Sequence, residues 1–188
     1  RTEDGWPFGM RRFNWKMNLR LNYGFPLTRP ALPVVERYYA GGDSSTRGYD
    51  ADALRAEEVR APIGPLSGEP AYRIVPVGGN ARLLSQLEWE FAITPKIGGW
   101  PWVGALFLDT GAVFDGFQRM SWNDVRFSVG ISLLRLLTQF GALSLDYAYP
   151  LVLPGQLPLV QSERWKREPW YAHFPGRIHF NWGMPISL

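Results

Sequence analysis

Two histidines, His173 and His179, no cysteine, and 17 carboxylates against 20 Lys and Arg are the groups from which chemistry in this 188-residue chain would be built. Without cysteine there is no thiolate nucleophile, no thiolate metal site and no disulfide framework. The histidines lack HExxH spacing and the acids lack DxDxDG spacing, so zinc and EF-hand sites are not expected. His179 and Asn181 stand two residues apart, which on a strand places them on one face, and Ser144 or Ser187 would have to approach them to make a hydrolase. No GxSxG, phosphate-binding glycine loop or dinucleotide fingerprint supports that reading, and a histidine solvated or paired with Asp146 is the simpler one. The expectation is a non-enzyme with no metal and no cofactor.

The elements that carry these groups are legible from composition and periodicity. The chain is 46% hydrophobic and 15% aromatic, with 20 Gly and 16 Pro scattered between short runs, a pattern of strands and not of long helices. No apolar stretch approaches the roughly 18 residues of a membrane-spanning helix, which excludes a helical membrane protein. A net charge of +3 without a basic stripe gives no reason to expect nucleic acid. The chain begins at Arg1 without a signal-peptide pattern, as a fragment or a mature segment would.

From Arg12 to Gly24, Phe13, Trp15, Met17, Leu19, Leu21 and Tyr23 alternate with Arg12, Asn14, Lys16, Asn18, Arg20 and Asn22. This is period two. Five more runs follow the same rule. Leu83, Leu87, Trp89, Phe91 and Ile93 oppose Arg82, Gln86, Glu88 and Glu90, while Val125, Phe127, Val129, Ile131 and Leu133 oppose Arg126, Ser128, Gly130 and Ser132. Leu143, Leu145, Tyr147, Tyr149 and Leu151 oppose Ala142, Ser144, Asp146 and Ala148, and Ile178, Phe180, Trp182, Met184, Ile186 and Leu188 oppose Arg177, His179, Asn181, Gly183 and Ser187. The run from Trp102 to Phe114 is weaker because both its faces are partly apolar.

Strands are therefore expected at 12–24, 81–93, 102–114, 125–137, 142–152 and 177–188, separated by a loop over 25–80 without strand pattern and then by short, long, short and long connections. Alternation alone also fits a soluble sandwich. Runs of about 9 to 13 residues exceed the soluble average of roughly 5 or 6, and loop lengths sorted by side match outer-membrane barrels. The expected fold is all-β, a transmembrane antiparallel β-barrel spanning residues 1–188. Six strands fall short of the minimum of about 8, so the rest of the wall is expected upstream or from another chain.

Residues 37–49 read RYYAGGDSSTRGY. This resembles the sixth external loop of the BamA/TamA outer-membrane assembly factors, with its aromatic-AGG and RGF or RGY signature. GGNARLLSQLEWEF, GALFLDTGAVFD, VRFSVGISLL, FGALSLDYAYPL and RIHFNWGMPISL follow in the family's order. The resemblance covers nearly everything from Arg12 onward and implies the last six strands of a sixteen-stranded barrel. The GGD before RGY and the terminal Leu look closer to TamA than to BamA. In such proteins the loop folds back into the barrel and its arginine is held by lumen-facing acids. The resemblance thus assigns Arg47, Gly48 and Tyr49 as the docking motif, and Glu88 and Asp109 as its partners. Glu88 is also on the polar face by periodicity, and Asp109 among apolar neighbours would be costly facing lipid.

The end of the chain fits an outer-membrane targeting pattern through Asn181, Gly183, Ile186 and Leu188, and Pro185, which has no N–H to donate, suits a weak seam there. Trp6, Trp100, Trp102, Trp122, Trp165 and Trp170 read as interfacial anchors. The implied function is assembly or translocation of outer-membrane proteins through a lateral seam without nucleotide, in a Gram-negative outer membrane. Unfolded outer-membrane or secreted substrates, outer-membrane lipid and periplasmic accessory subunits are the expected partners. The alternatives are a two-partner secretion pore, a porin, or the barrel anchor of an upstream patatin-like lipase, and the domains before Arg1 would discriminate them.

Overall fold

The computed structural model describes residues 13–27, 32–60, 72–97, 100–116, 118, 120–138, 141–151 and 176–183. Eight strands are present: β1 Phe13–Tyr23, β2 Ala56–Arg60, β3 Tyr72–Pro76, β4 Ala81–Ile97, β5 Trp100–Phe114, β6 Arg126–Thr138, β7 Gly141–Leu151 and β8 Arg177–Gly183. Six of them form one antiparallel sheet in the order β1-β4-β5-β6-β7-β8, and β2 pairs with β3 in a separate hairpin. The ends of β4 and β5 at Ile97 and Trp100, and those of β6 and β7 at Thr138 and Gly141, pair at one end of the sheet. The longer connections all leave from the other end. Among the described residues no helix is long and apolar enough to cross a membrane.

Period-two patterning has divided the sheet into two unlike faces. One is bare: Trp15, Met17, Leu19 and Leu21 on β1, Leu106 and Leu108 on β5, Val129 and Leu133 on β6, Tyr149 on β7, and Ile178, Phe180 and Trp182 on β8 are all exposed. Such a contiguous apolar surface on a monomer needs an apolar partner. Cross-strand pairing supports it internally, with Trp15 opposite Trp89 and their rings stacked at 5.7 Å. The opposite face carries the part of the 25–80 segment from Tyr38 to Leu54.

Two stretches depart from the sequence expectation by more than a residue, each for a local reason. β4 and β5 run past 93 and begin before 102, because bulges at Ala92/Thr94 and Thr94/Ile97, flanking Pro95, break the alternation without ending the ladder. The 25–80 segment is not strand-free: it contains the β2–β3 hairpin and a 3-10 turn at Val34–Glu36, elements too short to show a period. β8 is followed only to Gly183, so Pro185, Ile186 and Leu188 lie outside the described residues, as do Trp6, Trp165, Trp170, His173 and Ser187.

Candidate functional site: a docked arginine loop

The loop reaches the sheet through small local devices. Ser45 Oγ accepts from the Gly41 amide at 2.7 Å and donates to the Gly41 carbonyl at 2.9 Å, closing a tight turn. Tyr38 and Gly79 exchange both backbone hydrogen bonds, at 2.8 and 2.9 Å, which ties the start of the motif to the base of β4. Arg82 Nη1 donates to the Tyr39 carbonyl, Gln86 Nε2 to the Ser45 carbonyl, and Arg20 Nη2 to the Ser44 carbonyl. Ala40, Tyr49 and Leu54 then bury against Leu84 and Val113.

That apolar contact explains why β5 alternates poorly. Val113 and Leu84 belong to the loop-bearing face, and both are apolar because the loop, not water, covers them. Leu84 is 1% exposed on a face otherwise read as polar, and sequence reasoning passed over it. An apolar residue out of phase on a polar row was the available signal.

At the tip, Arg47 is 4% exposed and meets three carboxylates. Its Nε donates to Asp109 Oδ2 at 2.7 Å and its Nη2 to Asp109 Oδ1 at 2.8 Å, a bidentate pair, and its backbone N–H also reaches Asp109 Oδ2 at 3.1 Å. Glu88 Oε1 lies 2.9 Å from Nη2, and Asp146 Oδ2 accepts from Nη1 at 3.2 Å. Burial opposes the guanidinium's charge, but the Asp109 hydrogen bond and the charges of Asp109, Glu88 and Asp146 outweigh it and its pKa is raised. Arg47 is therefore a fixed cation.

The ring of Phe107 lies beneath it, with Arg47 Cζ 3.4 Å from the centroid. Phe107 can lie flat because its neighbour across the strand pair is Gly130, where a Cβ would stand 2.6 Å from Phe107 Cε2. The remaining motif residues extend the contact. Gly48 adopts φ +90°, a left-handed conformation that suits glycine, and a Cβ there would stand 3.2 Å from Pro150 N. Its N–H donates to His179 Nε2 at 3.2 Å. Tyr49 donates to the Phe127 carbonyl at 2.9 Å, with the Leu151 carbonyl at 3.3 Å, and burial pushes its phenol up to about 12, so it stays a donor. Arg177 and Asp50 form an exposed bidentate pair at 2.6 and 2.7 Å.

The structure thus places Arg47, Glu88 and Asp109 in contact and adds Asp146, which also accepts from Ser132 Oγ, as a third acid. Periodicity had put Asp146 on the correct face but could not supply the register that brings β7 under the loop. Asn181 stands opposite Ser144 on β7, and His179 opposite Asp146. Ser144 is therefore two positions out of step with His179, and no hydrolase triad forms among the described residues. No group of His, Asp and Glu able to hold a metal ion occurs there either. Of the aromatic anchors, Trp122 is 80% exposed and Trp102 Nε1 donates to the Leu133 carbonyl at 3.0 Å.

Acids from three strands clamp the loop arginine. It can hold a long connection against a sheet face. Residues 2–184 match the Omp85 superfamily domain. Over 121 residues the chain is 30% identical to the outer membrane protein assembly factor BamA of Nitratidesulfovibrio vulgaris, covering 64% of this chain. It spans only 13% of that relative's length.

Proposed function

From the chain's membership of the Omp85 superfamily, which makes it a protein of the Gram-negative outer membrane, we propose that it is the C-terminal six-stranded part of a sixteen-stranded β-barrel. The complete protein would assemble or translocate outer-membrane proteins. In this reading the bare apolar face meets lipid and the loop-bearing face lines the barrel interior. Substrate strands are templated at a lateral seam beside β8, by backbone pairing and without nucleotide. The protein is a non-enzyme of the TamA type, working with unfolded substrates and periplasmic accessory subunits.

One observation carries the proposal: Arg47 is buried in a socket built by β4, β5 and β7, Glu88, Asp109 and Asp146, which a plain pore wall would not need. Holding a long loop inside the wall keeps that wall in a defined state while a neighbouring seam works. The test is Arg47→Ala in the full-length protein. Removing one member of a buried ion cluster costs about 3 to 5 kcal/mol. The expected result is a lower temperature for loss of heat-modified gel mobility, together with depleted substrate proteins in the outer-membrane fraction. Normal substrate levels with the loop demonstrably undocked would remove the assembly role.

A further inference from the structure

Two contacts join the motif to β8, and they differ in kind. Asp50 and Arg177 form an exposed ion pair, whereas the Gly48 N–H donates to His179 Nε2. The second contact exists in only one protonation state. To accept the Gly48 amide, Nε2 must carry a lone pair, so the imidazole is neutral with its proton on Nδ1. A proton on Nε2 would turn acceptor into donor and set two N–H groups against each other.

The surroundings amplify that change. The charged groups around His179 are Asp43 and Arg47 of the loop, Asp146 of β7 and Arg177 of its own strand. Asp146 stands directly opposite His179 in register, and its hold on Arg47 Nη1, at 3.2 Å, is the longest of the Arg47 ion contacts. An imidazolium would draw Asp146 toward itself and weaken that contact too. Protonation therefore acts twice on one loop, at Gly48 and at Arg47.

We propose that His179 is a proton-controlled latch: neutral, it fastens the RGY loop to β8, and protonated, it lets the loop part from that strand. The direction follows from linkage, since docking selects the neutral ring and acid favours release. This deepens the reading of the loop as the docked element of an assembly barrel and rests on it. The consequence is that acid removes one of the loop's two ties to the last described strand, whose other edge has no neighbour among the described residues.

The test uses the full-length protein in liposomes, with spin labels at Ser44→Cys, exposed on the loop, and Phe180→Cys, exposed on β8. Between about pH 8 and about pH 5.5 histidine is the side chain whose charge changes, while carboxylates near pH 4 are little affected. The interlabel distance should be a single narrow distribution at the higher pH and gain a longer, broader component at the lower. His179→Gln keeps an acceptor that does not titrate and should stay narrow at both; His179→Asn serves if that variant does not fold. A distribution that ignores pH, or the same change in the glutamine or asparagine variant, overturns the latch. Because substrate assembly is not the readout, failure here and failure of the assembly role are separate results.

Discussion

Among the described residues three bidentate arginine–aspartate pairs hold the loop, with nearly the same geometry and very different surroundings. Arg47–Asp109 is bidentate at 2.7 and 2.8 Å with side chains 4% and 0% exposed, whereas Arg177–Asp50 is bidentate at 2.6 and 2.7 Å with side chains 47% and 54% exposed. Arg55–Asp115, at 2.5 and 2.7 Å, lies between them at 30% and 32%. Distance does not rank these pairs; solvent does. In water the charges lose little by parting, while in the socket each would be left desolvated. The loop is thus pinned at its tip and tethered toward its flanks, so that flanks can move while the tip stays seated.

The largest effect is expected at the tip. Asp109→Asn keeps the shape but removes the bidentate carboxylate from a fixed cation, and about 3 to 5 kcal/mol should be lost. Hydrogen exchange of the Thr46–Tyr49 amides would report it as lost protection. If Asp109→Asn is no more harmful than Asp50→Asn, burial is not what ranks the pairs.

Next comes the platform. Gly130→Val would drive a side chain into Phe107 and tilt the ring out from under Arg47, at a cost of about 1 to 3 kcal/mol from overpacking. A second substitution, Phe107→Ala, should recover the part of that loss that comes from the ring, while the close approach to the Tyr147 carbonyl remains. Failure of this rescue, read by thermal unfolding, would mean that the Tyr147 backbone and not the ring sets the cost at Gly130.

How far this ranking could be seen in the sequence depends on what each feature needs. Strict alternation from Arg12 to Gly24 needs only the pleat, and β1 follows it. The β2 and β3 segments, AEEVR and YRIVP, are too short for a period to emerge. Asp146 was visible as a polar-face residue, but its role depends on register across β5, β6 and β7, a long-range quantity that local pattern does not contain. Arg47 with Glu88 and Asp109 is legible only through family resemblance, because they stand far from the arginine in sequence and no local spacing rule spans such gaps. Leu84 and Val113 show what was overlooked: apolar residues on a water-side face announce that part of the chain lies over them.

The intermediate pair sharpens the comparison. Arg55 anchors the start of the β2–β3 hairpin and also donates to the Gly78 carbonyl at 3.2 Å. Arg55→Ala should cost about 1 kcal/mol, discounted because the pair is one-third open to solvent. The loss should show as faster proteolysis of the hairpin while Thr46–Tyr49 protection is kept. Equal loss at both places would mean that the hairpin and tip unfold as one unit.

The smallest effect is expected where the loop meets β8. Asp50→Ala should change loop protection by at most about 1 kcal/mol, and that difference should vanish near 1 M salt, where the screening length falls to about 3 Å. The Arg47 socket should keep its protection under the same conditions, because buried pairs are screened far less. Salt and acid then address different joints: salt loosens Asp50–Arg177, acid loosens Gly48–His179, and neither alone removes both ties to β8. Low pH combined with high salt should accordingly free β8 from the loop more than the separate effects predict, since each tie keeps the other's partners within reach. Simple additivity in the Ser44–Phe180 label distance would show instead that the two ties act independently, leaving the buried tip as the one cooperative element of the loop.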